Sequence, residues 1–263
     1  MNRLRKALEG RNSRPLLGAA MYFYDPVFLE VASYTGFNVI WIEMEHAAIT
    51  MAEAADLCRM AAGGGMLTMI RVPDTRRDSV LKAADCGPDI IDVPMITEAD
   101  QINELVKYAR FAPHGERGNF SVSRAFRYGF VGSVPDEQRR LNNELCLMVQ
   151  VETKSAVDGI ANLCAIEDVD IFIGPADLAA SYGVPGQTLH PAVTRAIESV
   201  VSAARTSNKL VAAACGPNEY SFWCNLGIDL LFCTNDIVCL KQGAQMAHEK
   251  ASAAIANAAG ARA

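Results

Sequence analysis

Eight short apolar runs alternate with amphipathic stretches along the whole chain, and this alternation is the feature that most restricts the possible fold. The runs begin near Leu16, Asn38, Met66, Asp89, Leu145, Asp170, Leu210 and Ile228. Several, such as "KLVAAAC", are apolar throughout rather than at every second residue, the pattern of strands buried on both faces. Between them lie stretches with helical periodicity, for example 50–64, 97–113 and 190–207. Thr50 and Thr97 stand where N-caps belong, with Glu53 and Asp100 three residues further on. Eight such units in 263 residues predict an α/β fold, a (β/α)8 TIM barrel forming one domain over 1–263, in preference to an open doubly wound sheet. One stretch breaks the repeat. Residues 112–140, rich in Gly, Arg and aromatics, predict a long ordered loop covering the barrel mouth.

The formal charge of −6 and the lack of a Lys/Arg cluster argue against nucleic acid as a partner. The charged opening "MNRLRKALEG" leads into no signal-like apolar segment, and no apolar run approaches the roughly 18 residues of a membrane span. A cytoplasmic protein with no membrane partner is expected. The eight cysteines, at 58, 86, 146, 164, 215, 224, 233 and 239, include no C-x-x-C pair and read as reduced thiols.

Chemistry in such a barrel gathers at the C-terminal ends of the strands. Those ends supply Glu43, Met44, Glu45 and His46, then Arg71, then Gln150 and Glu152, then Gly174, Pro175, Ala176 and Asp177. Glu152 and Asp177 close consecutive strands, so one βα unit brings two carboxylates to the same rim. Two carboxylates with open positions suit a hard divalent cation such as Mg2+ or Mn2+. Each acid also precedes a helical stretch and alone reads as a helix cap. His46, after two acids at the end of a buried strand, is a candidate proton acceptor.

These residues sit in "WIEMEHAAIT", "MIRVPD", "DIIDVPMITEADQ", "RFAPHGERG", "VQVETKSAVDGI", "IFIGPADLAASYG" and "GIDLLFCTNDIVCLKQG". In order and spacing the chain resembles the HpcH/HpaI aldolases, metal-dependent class II pyruvate aldolases, over nearly its whole length. The resemblance implies a carbon-carbon lyase that cleaves or forms a 4-hydroxy-2-oxoacid, with a 2-oxoacid and an aldehyde as small-molecule partners. It implies a Mg2+, Mn2+ or Co2+ ion held by Glu152 and Asp177, with Glu43 and Glu45 in the surrounding shell. Gln150 and the main chain of Ala176 would touch the oxoacid, Arg71 would stabilise enolate charge, and His46 would be the base, its basicity raised by Asp85. A homohexamer or trimer of dimers is also implied, with a C-terminal helix over about 235–256 in the subunit contacts. Asp85 precedes the fourth strand and His46 follows the second, so one barrel holds them at opposite ends, a strand length of roughly 17–20 Å apart. A dyad would have to form between subunits.

The chain departs from the family pattern in places. Glu43-Met44-Glu45-His46 stands for the usual Asp-Gly-Glu-His, Cys233-Thr234-Asn235-Asp236 for Val-Gly-Ser-Asp, and His114 for a frequent proline. The rival readings are a Schiff base on Lys154, a related lyase or decarboxylase acting on an oxaloacetate-like or CoA-ester substrate, and a non-catalytic binding barrel.

Overall fold

Every strand of the molecule runs parallel to its neighbours, and the sheet closes on itself. The computed structural model describes residues 1–12 and 14–260. The strands are β1 (Leu16–Met21), β2 (Val39–Glu43), β3 (Leu67–Arg71), β4 (Ile90–Val93), β5 (Cys146–Val151), β6 (Asp170–Ile173), β7 (Val211–Ala214) and β8 (Leu230–Asn235). They form a closed barrel in sequence order, β8 pairing back onto β1, with helices between the strands. This is a single-domain (β/α)8 barrel.

The pleat sorts each strand into two sets of side chains. On β2, Val39 and Trp41 join the cluster inside the barrel, while Ile40 and Ile42 join the larger cluster under the helices. Within the interior Trp41 meets Phe172 and Phe232 edge-on at centroid distances of 5.3 and 5.2 Å. Gly18 is required by this packing, since a Cβ there would fall 2.4 Å from the Phe232 ring. Helix Arg3–Leu8 closes the N-terminal end of the barrel. Its Leu4 is fully buried in the interior cluster, and Arg5 pairs with Asp170 at 2.6 Å.

Thr50 caps helix Met51–Gly63 in a complete capping box with Glu53. The second expected cap is corrected. Helix Ala99–Ala109 has Glu98 as its N-cap, because the Gln101 side chain reaches back to the N–H groups of both Thr97 and Glu98, at 2.8 and 3.0 Å.

The long segment at 112–140 is also corrected: it does not cover the mouth. It follows a helix and precedes β5, so it lies at the N-terminal end of the strands. Arg124 binds it there, donating to the carbonyl oxygens of Cys58, Cys86 and Gly87 at 2.7–2.9 Å. Arg117 pairs with Asp85 at 2.8 Å. Phe126 is buried against Phe111. The segment carries a 3-10 turn at Arg127–Gly129 and leads into helix Val134–Glu144. His114 lies in this collar, remote from the rim.

Helix Asp236–Gly260 differs from the others. Its first residue is fully buried and accepts from the N–H groups of Tyr22 and Phe23, tying the helix start to the end of β1. From 241 to 258 every residue is exposed, Met246 and Ile255 among them, so this part does not pack on its own barrel.

Candidate active site

Three adjacent strands bring Glu43, Arg71 and Asp92 into one row, because Glu43 is in register with Arg71 and Arg71 with Asp92. All three are buried. Glu43 is fully employed. Its Oε2 accepts from Arg71 Nε at 2.6 Å, and its Oε1 accepts from the N–H groups of Glu45 and His46 at 2.7 and 2.9 Å. One carboxylate thus fixes the guanidinium and shapes the turn that carries His46. Arg71 Nη1 donates to Gln150 Oε1 at 3.2 Å and stands 3.0 Å from Glu45 Oε2, and the guanidinium lies 4.9 Å from the Trp41 ring centre. Burial works against the charge on Arg71, but Glu43, Asp92 and Glu45 together outweigh it and hold the group above its ordinary pKa. Burial likewise raises the Glu45 carboxyl, with Arg71 opposing.

Glu152 and Asp177 stand beside this row. Glu152, just past β5, is buried, and its Oε1 accepts from the N–H of Met95 at 2.6 Å. Met95 has the left-handed φ of 56° that turns this N–H to the rim. Burial pushes the Glu152 carboxyl up to about 7, and the charge of Asp177 adds to the rise. Gly174 makes room for it, since a Cβ there would fall 2.3 Å from Glu152 Oε2. Asp177 is exposed in the first turn of helix Pro175–Ser181, next to the exposed Ala176.

Neither acid is a helix N-cap. The cap of helix Lys154–Asp158 is Thr153, whose side chain accepts from the N–H of Ala156, and the N-cap of helix Pro175–Ser181 is Gly174. Two acids that repel across a rim suit a divalent ion that keeps water or substrate in its remaining positions. A protein-only cage is not formed, for among the described residues no group of three or more His, Cys, Asp or Glu could hold a metal.

His46 is exposed at the same rim, its Nε2 3.6 Å from Glu45 Oε2. Asp85, the last residue of helix Arg77–Asp85, is engaged with Arg117 at the opposite end of the barrel. The structure therefore gathers Glu43, Glu45, His46, Arg71, Gln150, Glu152, Ala176 and Asp177 at one end and leaves Asp85 at the other.

A family model described as HpcH/HpaI aldolase/citrate lyase matches residues 22–230. The chain belongs to this family. The 2-keto-3-deoxy-L-rhamnonate aldolase of Escherichia coli O17:K52:H18 is 35% identical over 182 residues, covering 68% of this chain and 67% of that protein. The Shigella sonnei protein of the same name is 34% identical over the same span. The crystal structure of a HpcH/HpaI aldolase/citrate lyase family protein from Burkholderia cenocepacia is 27% identical and superposes with a TM-score of 0.87, covering 96% of this chain and all of that one. With this membership the chain is a carbon-carbon lyase of the aldolase type.

Within this HpcH/HpaI chain, Met44 packs against the outer hydrophobic cluster. Lys154 is exposed, and the buried Lys209 donates to the carbonyl oxygens of Ile166 and Glu167 ahead of β7. Neither lysine enters the barrel interior. Asp92 and Met95 were missed by the strand-end reading. Met95 acts through its main chain and left no side-chain signal. Asp92 did leave one, a lone acid in the run "IIDVP" in phase with the inward Ile90.

Proposed function

We propose that this HpcH/HpaI chain is a divalent-metal-dependent aldolase that cleaves or forms a 4-hydroxy-2-oxoacid, with pyruvate as the enolate-forming fragment and an aldehyde as the other. The observation that carries the reading is the pair Glu152 and Asp177, neither serving as a helix N-cap, beside the anchored Arg71 and Gln150. The relatives named for a 2-keto-3-deoxy acid support the same substrate class.

Glu152 and Asp177 would hold the ion, with Glu43 and Glu45 around them. A bound Mg2+, Mn2+ or Co2+ supplies Lewis acidity to the ketone of the oxoacid. Gln150 and the main chain of Ala176 orient the oxoacid, and Arg71 directs a fixed positive charge at the oxygen where enolate charge develops. In cleavage, His46 takes the proton of the 4-hydroxyl. The electron pair of the C3–C4 bond passes to the pyruvate fragment as its enolate, and the aldehyde leaves. Protonation at C3 completes the reaction. Turnover by chelator-treated protein with Mg2+, Mn2+ or Co2+ restored in turn tests this. Equal turnover without metal, or covalent trapping of pyruvate by borohydride, would reject it.

Asp85 orients His46 of a neighbouring subunit in this reading, because within one chain the two lie at opposite ends. The exposed apolar residues of helix Asp236–Gly260 support a hexamer or trimer of dimers built through that helix. Mixing inactive His46→Ala and Asp85→Ala chains is expected to restore part of the activity. No recovery in verified mixed oligomers would contradict a shared dyad.

A further inference from the structure

Asp92 is fully buried, and neither of its carboxyl oxygens has a hydrogen-bond partner among the described residues. A buried, unpartnered acid is costly and calls for a physical account. Its placement offers one. Asp92 is in register with Arg71 on the adjacent strand and is in phase with Ile90, which lies in the barrel interior. Below it the interior turns apolar, with Ile90 on its own strand and Met148 beside it on β5. The charged groups acting on it are Arg71 from β3, Glu43 and Glu45 from β2 and the turn after it, and Glu152 from the end of β5. Arg71 alone among these is a cation.

Glu43 and Asp92 therefore flank one guanidinium but play unlike parts. Glu43 is hydrogen-bonded to Arg71 and spent. Asp92 is not. We propose that Asp92 is a positioning residue that sets how much of the Arg71 charge reaches the bound 2-oxoacid. As a neutral acid it leaves the guanidinium to the substrate, and as an anion it competes for it. Burial raises this carboxyl well above its ordinary range, with Arg71 opposing and the nearby acids adding to the rise. This rise favours the neutral form over the anion, and rising pH converts it to the competing anion.

This inference rests on the aldolase reading and is tested by pyruvate methyl-proton exchange measured against pH. Asp92→Asn keeps the shape and is neutral at every pH. D92N and wild type are assayed side by side across the pH range, with kcat and KM separated. As pH rises, the wild-type KM for pyruvate should climb by about tenfold while that of D92N stays flat. Asp92→Leu provides a second neutral side chain and should share the flat profile. In infrared difference spectra between wild type and D92N, a carboxylic-acid carbonyl band should persist to a pH above the ordinary carboxyl range and disappear on further alkalinisation. Superposable wild-type and D92N profiles would overturn the inference, as would a large loss in D92N at neutral pH. If the wild type shows no chelator-sensitive exchange, the aldolase reading falls and takes this inference with it. If it does and the profiles coincide, only the role of Asp92 falls.

Discussion

At the N-terminal end of the strands Arg5 pairs with Asp170, Arg117 with Asp85 and Arg140 with Glu137, while Arg124 is consumed by three main-chain carbonyls. At the C-terminal end Arg71 faces Glu43, Glu45, Asp92 and Glu152, with Asp177 acting on Glu152, and most of these acids have no matching cation among the described residues. The first end spends its charge on holding segments together. The second keeps buried carboxyl groups that cost stability and that the proposed function puts to chemical use, the usual relation between a scaffold and its site.

Substitutions at the two ends should therefore fail in different ways. Glu152→Ala or Asp177→Ala is expected to lower turnover by on the order of a hundredfold or more, while unfolding free energy stays within about 1 kcal/mol. Kinetics and denaturant unfolding on the same samples check both halves, and a variant that lost stability but kept turnover would erase the distinction. Arg124→Ala, at the other end, should leave three carbonyl groups short of a donor and cost about 2 kcal/mol of stability, with Mn2+ affinity of the folded protein unchanged. A fall in Mn2+ affinity would show that the ends are coupled. Gly174→Ala sharpens the rim alone. Its φ of −95° accepts alanine, so the effect must come from the Cβ that meets Glu152 Oε2, and metal affinity should fall by about tenfold with little change in unfolding.

The barrel was legible because a strand buried on both faces is apolar along its length, and each strand starts within two residues of an apolar run. Composition alone misplaces the collar, because Gly, Arg and aromatics suit a mouth loop and a collar equally. A segment between a helix and the next strand belongs to the N-terminal end whatever residues it contains. At the rim, Arg71, Gln150, Glu152 and Asp177 were readable as polar residues closing apolar strands. Asp92 was harder, since it lies inside its strand, and only the register with Arg71 reveals what it faces. Thr97 gives way to Glu98 as the cap for a local reason, the reach of the Gln101 side chain to both N–H groups, which the Thr-x-x-Asp spacing does not contain.

The central claim is that the unspent carboxylates of the rim serve metal-assisted enolate formation, and deuterium uptake into the methyl group of pyruvate measures that step without the natural aldehyde. Followed by NMR, uptake is predicted to be catalysed by the protein, abolished by a chelator, restored by Mg2+, Mn2+ or Co2+, and lost in Glu152→Ala. Uptake that proceeds unchanged in the presence of the chelator, or that survives in Glu152→Ala at the wild-type rate, would contradict the account.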